Sequence, residues 1–165
     1  MSGGLPAVGR LPGVRIVPWQ PERDRAAWAA LAEAFRDHWG YMHPNYEQFQ
    51  LRFHGAHSRP DLWRLALDEA SGEVAGVCLV VIDPAASALT GRADGLVEEL
   101  GVRRPWRRRG VGRALLIAGM EALRQAGMTA AVLGVDSESP TGANRLYEQV
   151  GYRVVLESRA YGQPL

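Results

Sequence analysis

Val97-Glu-Glu-Leu-Gly-Val-Arg-Arg-Pro-Trp-Arg-Arg-Arg-Gly-Val-Gly-Arg-Ala-Leu-Leu116 is the stretch on which the fold turns. Leu100 and Val102 are apolar at period two, as a half-buried strand requires. Pro105 has no N–H to give and ends ladder pairing. From there Ala114, Leu115, Ala118, Ala122 and Leu123 recur at helical spacing. The joint between strand and helix is Arg107-Arg-Arg-Gly-Val-Gly-Arg113. The first N–H groups of a helix lack internal partners and carry partial positive charge. Gly110 and Gly112 have no Cβ, so an anion can approach the backbone. The arginines add forked donors suited to phosphate. A strand–turn–helix of this composition is expected to bind a diphosphate.

Two familiar phosphate motifs are excluded. A P-loop needs Gly-Lys-Ser/Thr, and the chain contains no lysine; a dinucleotide fingerprint needs a third glycine where Leu115 stands. What remains is Arg107-x-x-Gly110-x-Gly112. This resembles the acetyl-CoA signature of the GCN5-related N-acetyltransferases (GNAT), (Gln/Arg)-x-x-Gly-x-(Gly/Ala). Downstream, Asn144-Arg-Leu-Tyr-Glu-Gln-Val-Gly-Tyr152 resembles the family's Leu-Tyr-x-x-x-Gly-(Phe/Tyr) ending. Phe35-Arg-Asp-His-Trp-Gly40 and Val135-Asp-Ser-Glu-Ser-Pro-Thr-Gly-Ala143 look most like actinobacterial members. Among those are tandem-domain acetyltransferases related to mycothiol synthase, in which such a domain is one of two.

Around these motifs, 165 residues with a formal net charge of +1 read as one domain with a proper core. Residues 1–13, rich in Gly and Pro, read as a flexible tail or linker, and 14–165 as the domain. Neither nucleic acid nor a membrane is indicated by overall charge, and no apolar run is long enough to span. The absence of a signal peptide makes a cytoplasmic location the default. The single cysteine, Cys78, sits in Val77-Cys-Leu-Val-Val-Ile82 and reads as a small buried hydrophobe. The three histidines at 43, 54 and 57 have no recognised metal spacing, and no metal is expected.

Periodicity predicts strands at 14–19, 62–67, 74–82, 94–102, 129–135, 152–156 and 158–163. Helices are predicted from Pro21 to Phe35, over 45–53, from about Gly110 to Gln125, and over 140–149; residues 83–91 read as a loop. This is a mixed α+β order, with α/β/α layers: about seven strands and four helices. The family resemblance implies that the sheet splits between the fourth and fifth strands.

The resemblance also implies direct acetyl transfer from acetyl-CoA to a primary amine of a small molecule or peptide. The pantetheine arm would pair with Leu100, Gly101 and Val102 much as an added strand does. The N–H of Leu100 would polarise the thioester carbonyl. The diphosphate would lie on Arg107, Arg108, Arg109, Gly110, Val111, Gly112 and Arg113. Ser139 takes roughly the place of an asparagine that often bonds the pantetheine in the family, and Asn144 stands one turn along. Tyr147 stands where the family's general acid stands; it reads equally as a core tyrosine with a satisfied hydroxyl. For the base, alternation puts Glu98 on the side of Leu100 and Val102, and Glu99 on the other; a bulge would exchange them. Some members carry their glutamate two positions earlier, at Leu96. Glu98 also reads as an ion-paired strand residue. Asp37, His38, Trp39 and Tyr41 would line the acceptor pocket, or else cap a helix end.

Two other function classes are compatible with the residues. One is an acyl-CoA-binding module that keeps the phosphate turn without catalysis. The other is a nucleic-acid binder, or an acetyltransferase acting on RNA-linked aminoacyl groups, using Arg103–Arg113; nucleic acid is the less favoured partner. A homodimer is an admissible assembly.

Overall fold

A computed structural model describes residues 4–36, 44–55, 58–135 and 143–157. Val14–Pro18 (β1), Arg64–Asp68 (β2), Val74–Val81 (β3), Asp94–Val102 (β4) and Ala130–Val132 (β5) form one sheet in chain order. The first four strands pair antiparallel, and β5 joins β4 in parallel. The helices are Asp24–Ala34 (α1), Tyr46–Phe53 (α2), Pro84–Thr90 (α3), Val111–Gln125 (α4) and Ala143–Val150 (α5).

Each central element follows from its sequence. In α1, Ala27, Ala30, Leu31 and Ala34 make the buried stripe. Asn45 starts α2 with a capping box, its side chain accepting from Gln48 N–H while the Gln48 side chain accepts from Asn45 N–H. Every residue of β3 from Val74 to Val80 is buried, as befits a strand covered on both faces. On α4, Val111, Ala114, Leu115, Ile117, Ala122 and Leu123 face the sheet side of the core.

The two faces of the sheet can be read from its glycines. A Cβ at Gly101 would meet Ala34 and Leu31 of α1 at 3.0 Å, whereas one at Gly95 would fall onto Leu123 of α4. Likewise Gly119 of α4 lies so close to Cys78 that an added Cβ would stand 2.7 Å from its sulfur. Helix α1 therefore covers one face and α4 the other. Burial pushes the Cys78 thiol up to about 12, so it is the inert apolar filler its neighbours imply.

The fold class agrees with the sequence; three details do not. Residues 84–90 are helical rather than loop. Asp83 caps the helix by accepting from Ala85 and Ala86 N–H, Pro84 occupies its first position, and Gly91 closes it at φ 66°. The start and stop residues decide the matter although the segment has no apolar stripe. The strand at 129–135 forms only over Ala130–Val132, because its partner β4 pairs with it only from Asp94 to Leu96. Tyr152–Leu156 is not a strand. Tyr152 N–H closes the end of α5 on Tyr147 O at 3.0 Å, and Val154, Val155 and Leu156 are 77%, 81% and 83% exposed. The strand expected beside it, 158–163, lies outside the described residues. The described sheet thus has five strands rather than seven, with five helices rather than four.

Candidate active site

The site begins with what β4 leaves unpaired. On one edge β4 pairs with β3 along most of its length; on the other, β5 stops at Leu96. From Val97 to Val102 that second edge has no strand partner among the described residues. Arg103 N–H donates to Ala75 O at 2.9 Å, toward β3. Backbone groups alternate in direction along a strand, so the N–H groups of Leu100 and Val102 face the open edge, while Gly101 faces β3. Pairing along that edge is available to an extended ligand at Leu100 and Val102. The carbonyl of Val102 is taken by Arg107 Nε at 2.9 Å.

A bulge interrupts β4 at the mouth of the opening. Leu79 pairs with Glu99 and Val80 with Val97, so Glu98 is the extra residue. The bulge explains why Gly95 and Gly101, an even number of residues apart, face opposite helices. It also corrects the side assigned to Glu98. Both glutamates turn toward α2, where Arg52 ion-pairs with Glu98 and lies 4.0 Å from Glu99. Glu99 is buried and the Glu98 side chain is 23% exposed. No neighbouring sequence signals this contact: Arg52 is an exposed-face residue of a short amphipathic helix, and only the bulge brings the carboxylates to it.

At the far end of β4 the chain makes a short 3-10 turn, Arg104–Trp106, before reaching the basic joint. Gly110 is the N-cap of α4 at φ 81°, a conformation that strains any residue with a Cβ. No side chain caps this helix, and the first internal bond is Ala114 N–H to Gly110 O at 3.0 Å. The N–H groups of Val111, Gly112 and Arg113 therefore lie in the uncapped first turn, where an anion is best received. Arg108 has φ 60°, the only described residue other than glycine with positive φ. Such strain collects where a turn is shaped for a ligand.

The arginines divide. Arg108 and Arg109 are exposed, and Arg113 is half-buried. Arg109 Nη2 donates to Pro12 O at 3.2 Å, and Arg113 Nη1 to Ala7 O at 3.1 Å. Arg107 points inward instead, with Nη2 on Ala34 O at 2.8 Å in addition to its bond to Val102 O. It fastens the ends of β4 and α1 together, a structural duty that the sequence-level grouping with the phosphate donors did not foresee.

Helix α5 and the turn that closes it supply two phenols. The Tyr147 and Tyr152 rings stand 6.0 Å apart at 61°. Burial holds the Tyr147 phenol above its ordinary value, so it stays protonated through the neutral range and has a proton to give. Asn144 lies half-buried in the first turn of α5. Ser139, Asp37, His38, Trp39 and Tyr41 lie outside the described residues. Buried Asp24 of α1 accepts from Tyr46 Oη at 2.8 Å and pairs with His54 Nε2 at 2.7 Å. This network anchors both ends of α2 to α1.

Comparison with known proteins shows the family. The model of the acetyltransferase (GNAT) family matches residues 28–152. A mycothiol acetyltransferase of Thermobispora bispora is 36% identical over 149 residues, which cover 90% of this chain and 49% of the relative. The mycothiol acetyltransferase of Nocardiopsis dassonvillei is 34% identical, with 92% and 46% covered. The chain thus spans about half the length of the curated relatives it matches. Among solved structures, a GCN5-related N-acetyltransferase from Sphaerobacter thermophilus superimposes with a TM-score of 0.75 at 32% identity, covering 92% of this chain and 44% of that one.

Proposed function

The chain belongs to the acetyltransferase (GNAT) family, and from that premise we propose that it transfers an acetyl group from acetyl-CoA directly to a primary amine. The observation that carries the reading is the continuity between the open β4 edge and the uncapped start of α4. A pantetheine arm paired along Leu100 and Val102 ends at a helix N-terminus set among Arg108, Arg109 and Arg113, where a diphosphate finds both N–H donors and charge.

In the transfer, the unprotonated amine nitrogen attacks the thioester carbon. A C–N bond forms, the C–S bond breaks, and the electron pair leaves on sulfur. The Leu100 N–H, directed into the opening, is placed to stabilise the oxyanion, a role for which single donors contribute roughly 3–4 kcal/mol. Tyr147, which burial keeps protonated, serves as acid to the departing thiolate. Glu98, at the bulge beside the opening, takes the amine's proton.

Thermal unfolding with and without acetyl-CoA tests the donor half. At ~100 times its dissociation constant, acetyl-CoA stabilises by roughly 2.7 kcal/mol, while NAD and ATP at equal concentration do much less. A panel of amines followed by free-thiol release then tests transfer. No stabilisation at millimolar acetyl-CoA sinks the reading, and stabilisation without thiol release on any amine leaves a binding module.

A further inference from the structure

The bulge has a charge arrangement of its own. Glu98 and Glu99 converge on a single guanidinium, that of Arg52. The three groups together carry one net negative charge when ionised. Arg52 is 49% exposed at its side chain and reaches the pair from α2, with its guanidinium carbon 4.9 Å from the centre of the Phe53 ring. It also lines a cleft of about 190 Å³ together with Ser58, Arg59, Trp63 and Val80. Arg59, the other cation of this cleft, is held in a two-point bond by Asp61 at 2.9 and 2.7 Å. Arg52 is thus a cation that both lines the cleft and ion-pairs with the candidate base.

An amine that arrives as an ammonium is drawn to Glu98, but there it meets a competitor. Detaching Arg52 from Glu98 with nothing offered in return leaves a partly desolvated cation with weakened pairing, which opposes binding. An acceptor that brings a carboxylate beside its amine avoids that cost. Its ammonium takes the place of Arg52 on Glu98, and its carboxylate takes the place of Glu98 on Arg52. Every charge remains paired throughout. The guanidinium and carboxylate of Arg52 and Glu98 are in direct contact, so the acceptor's two groups must also be neighbours. An α-amino acid, whose nitrogen and carboxyl carbon share one carbon, meets this requirement; an amine with a distant acid does not. Guanidinium also matches a carboxylate in a planar two-point geometry that an amide cannot reproduce.

We propose that Arg52 is a specificity-determining residue that selects acceptors carrying a carboxylate next to the reacting amine, by exchanging partners with Glu98. This rests on the acetyltransferase reading above and narrows its acceptor class.

The test compares kcat/KM for a free α-amino acid and for its α-carboxamide, in the wild type and in Arg52→Gln and Arg52→Lys. The ratio of the two substrates, compared between proteins, cancels the difference in amine basicity. Relative to the variants, the wild type favours the carboxylate form. Arg52→Gln lowers that preference roughly tenfold, mainly through KM, as expected for a partly exposed charge pair. Arg52→Lys, which keeps the charge, restores part of it. An equal loss on both substrates, which leaves their ratio unchanged, makes Arg52 a structural residue and overturns the proposal. Where neither substrate turns over, or Arg52→Gln does not fold, the wild type loaded with CoA is titrated with the free α-amino acid and with its α-carboxamide, both of which keep the ammonium that displaces Arg52. Equal affinity overturns the proposal and leaves the donor reading intact. Failure to bind acetyl-CoA at all removes the donor reading, and this proposal with it.

Discussion

Tyr152 illustrates how one atom can be a liability. Its hydroxyl is buried and has no hydrogen-bond partner among the described residues. Burial, with Cys78 and Tyr147 nearby, drives the phenol well above its ordinary value, so it is a neutral donor with nothing to donate to. A buried group left unpaired costs about 1–3 kcal/mol, whereas removing the group itself is close to neutral or better. Tyr152→Phe keeps the ring that packs on Tyr147 and deletes only the orphan. The melting temperature of the ligand-free protein is therefore expected to hold or to rise by roughly 2–4 °C. A fall of that size in a thermal melt means the hydroxyl has a partner after all. Tyr147 contrasts with it as the proposed acid, and the sequence distinguished the two phenols only through the motif resemblance. The strain at Arg108 belongs to the same scale and had no signal at all: nothing in a run of three arginines tells which one adopts φ 60°.

Among the elements, the turn after β2 bears directly on acid stability. Asp68 Oδ1 accepts from Ala70 N–H at 3.1 Å and from Ser71 N–H at 2.9 Å, while Oδ2 accepts from the Trp106 indole at 2.9 Å. These bonds favour the charged carboxylate, led by that of Trp106, and lower the Asp68 carboxyl from 3.8 to about 2. A depressed folded-state value stabilises the protein above the unfolded value and stops doing so as pH falls through the folded one. Melting temperature should accordingly decline between about pH 4 and pH 2, with Asp68→Asn showing a lower plateau at neutral pH and a flatter acid limb. A variant whose acid limb parallels the wild type assigns the loss to other carboxylates. Trp106 ties this turn to the segment that leads into α4, so the bond also steadies the approach to the phosphate turn. Elements such as β4 around Leu100 and Val102, and α4, were legible because each has a clear period there; the Asn45–Gln48 cap that starts α2 was not read from the sequence. Helix α3 was missed because its terminal residues, not an apolar stripe, define it. The bulge at Glu98 was legible only as a possibility, since register belongs to two strands and β3 gives no sign of it. Its consequence, the pairing with Arg52 across 46 positions of sequence, was not legible.

At the scale of the molecule, the start of the chain and the phosphate turn occupy one another. Leu11 packs partly buried against the core, and an added Cβ at Gly110 would meet its side chain at 3.4 Å. Just before and after Leu11, the carbonyls of Ala7 and Pro12 accept from Arg113 and Arg109. Composition alone marked residues 1–13 as a flexible tail or linker; residues 4–13 form neither helix nor strand, and the carbonyls that such a segment leaves unpaired are what the arginines find. Those two guanidiniums are the donors that a diphosphate at the start of α4 would engage. Binding the coenzyme therefore has to release at least part of this strap. Removing residues 1–12 pulls two measurements in opposite directions. Without ligand the protein loses the Leu11 packing, a cost of about 1–2 kcal/mol for a partly buried leucine, and melts earlier. Coenzyme A binds more tightly, by roughly tenfold, because a hydrogen bond to a charged group is worth about 1.5 kcal/mol and no longer has to be broken. Titration calorimetry on both forms, beside their melting curves, separates the two effects. Earlier melting with unchanged affinity means that the strap and the coenzyme share the arginines without competing. Weaker binding means that Ala7, Leu11 and Pro12 form part of the wall against which the coenzyme lies.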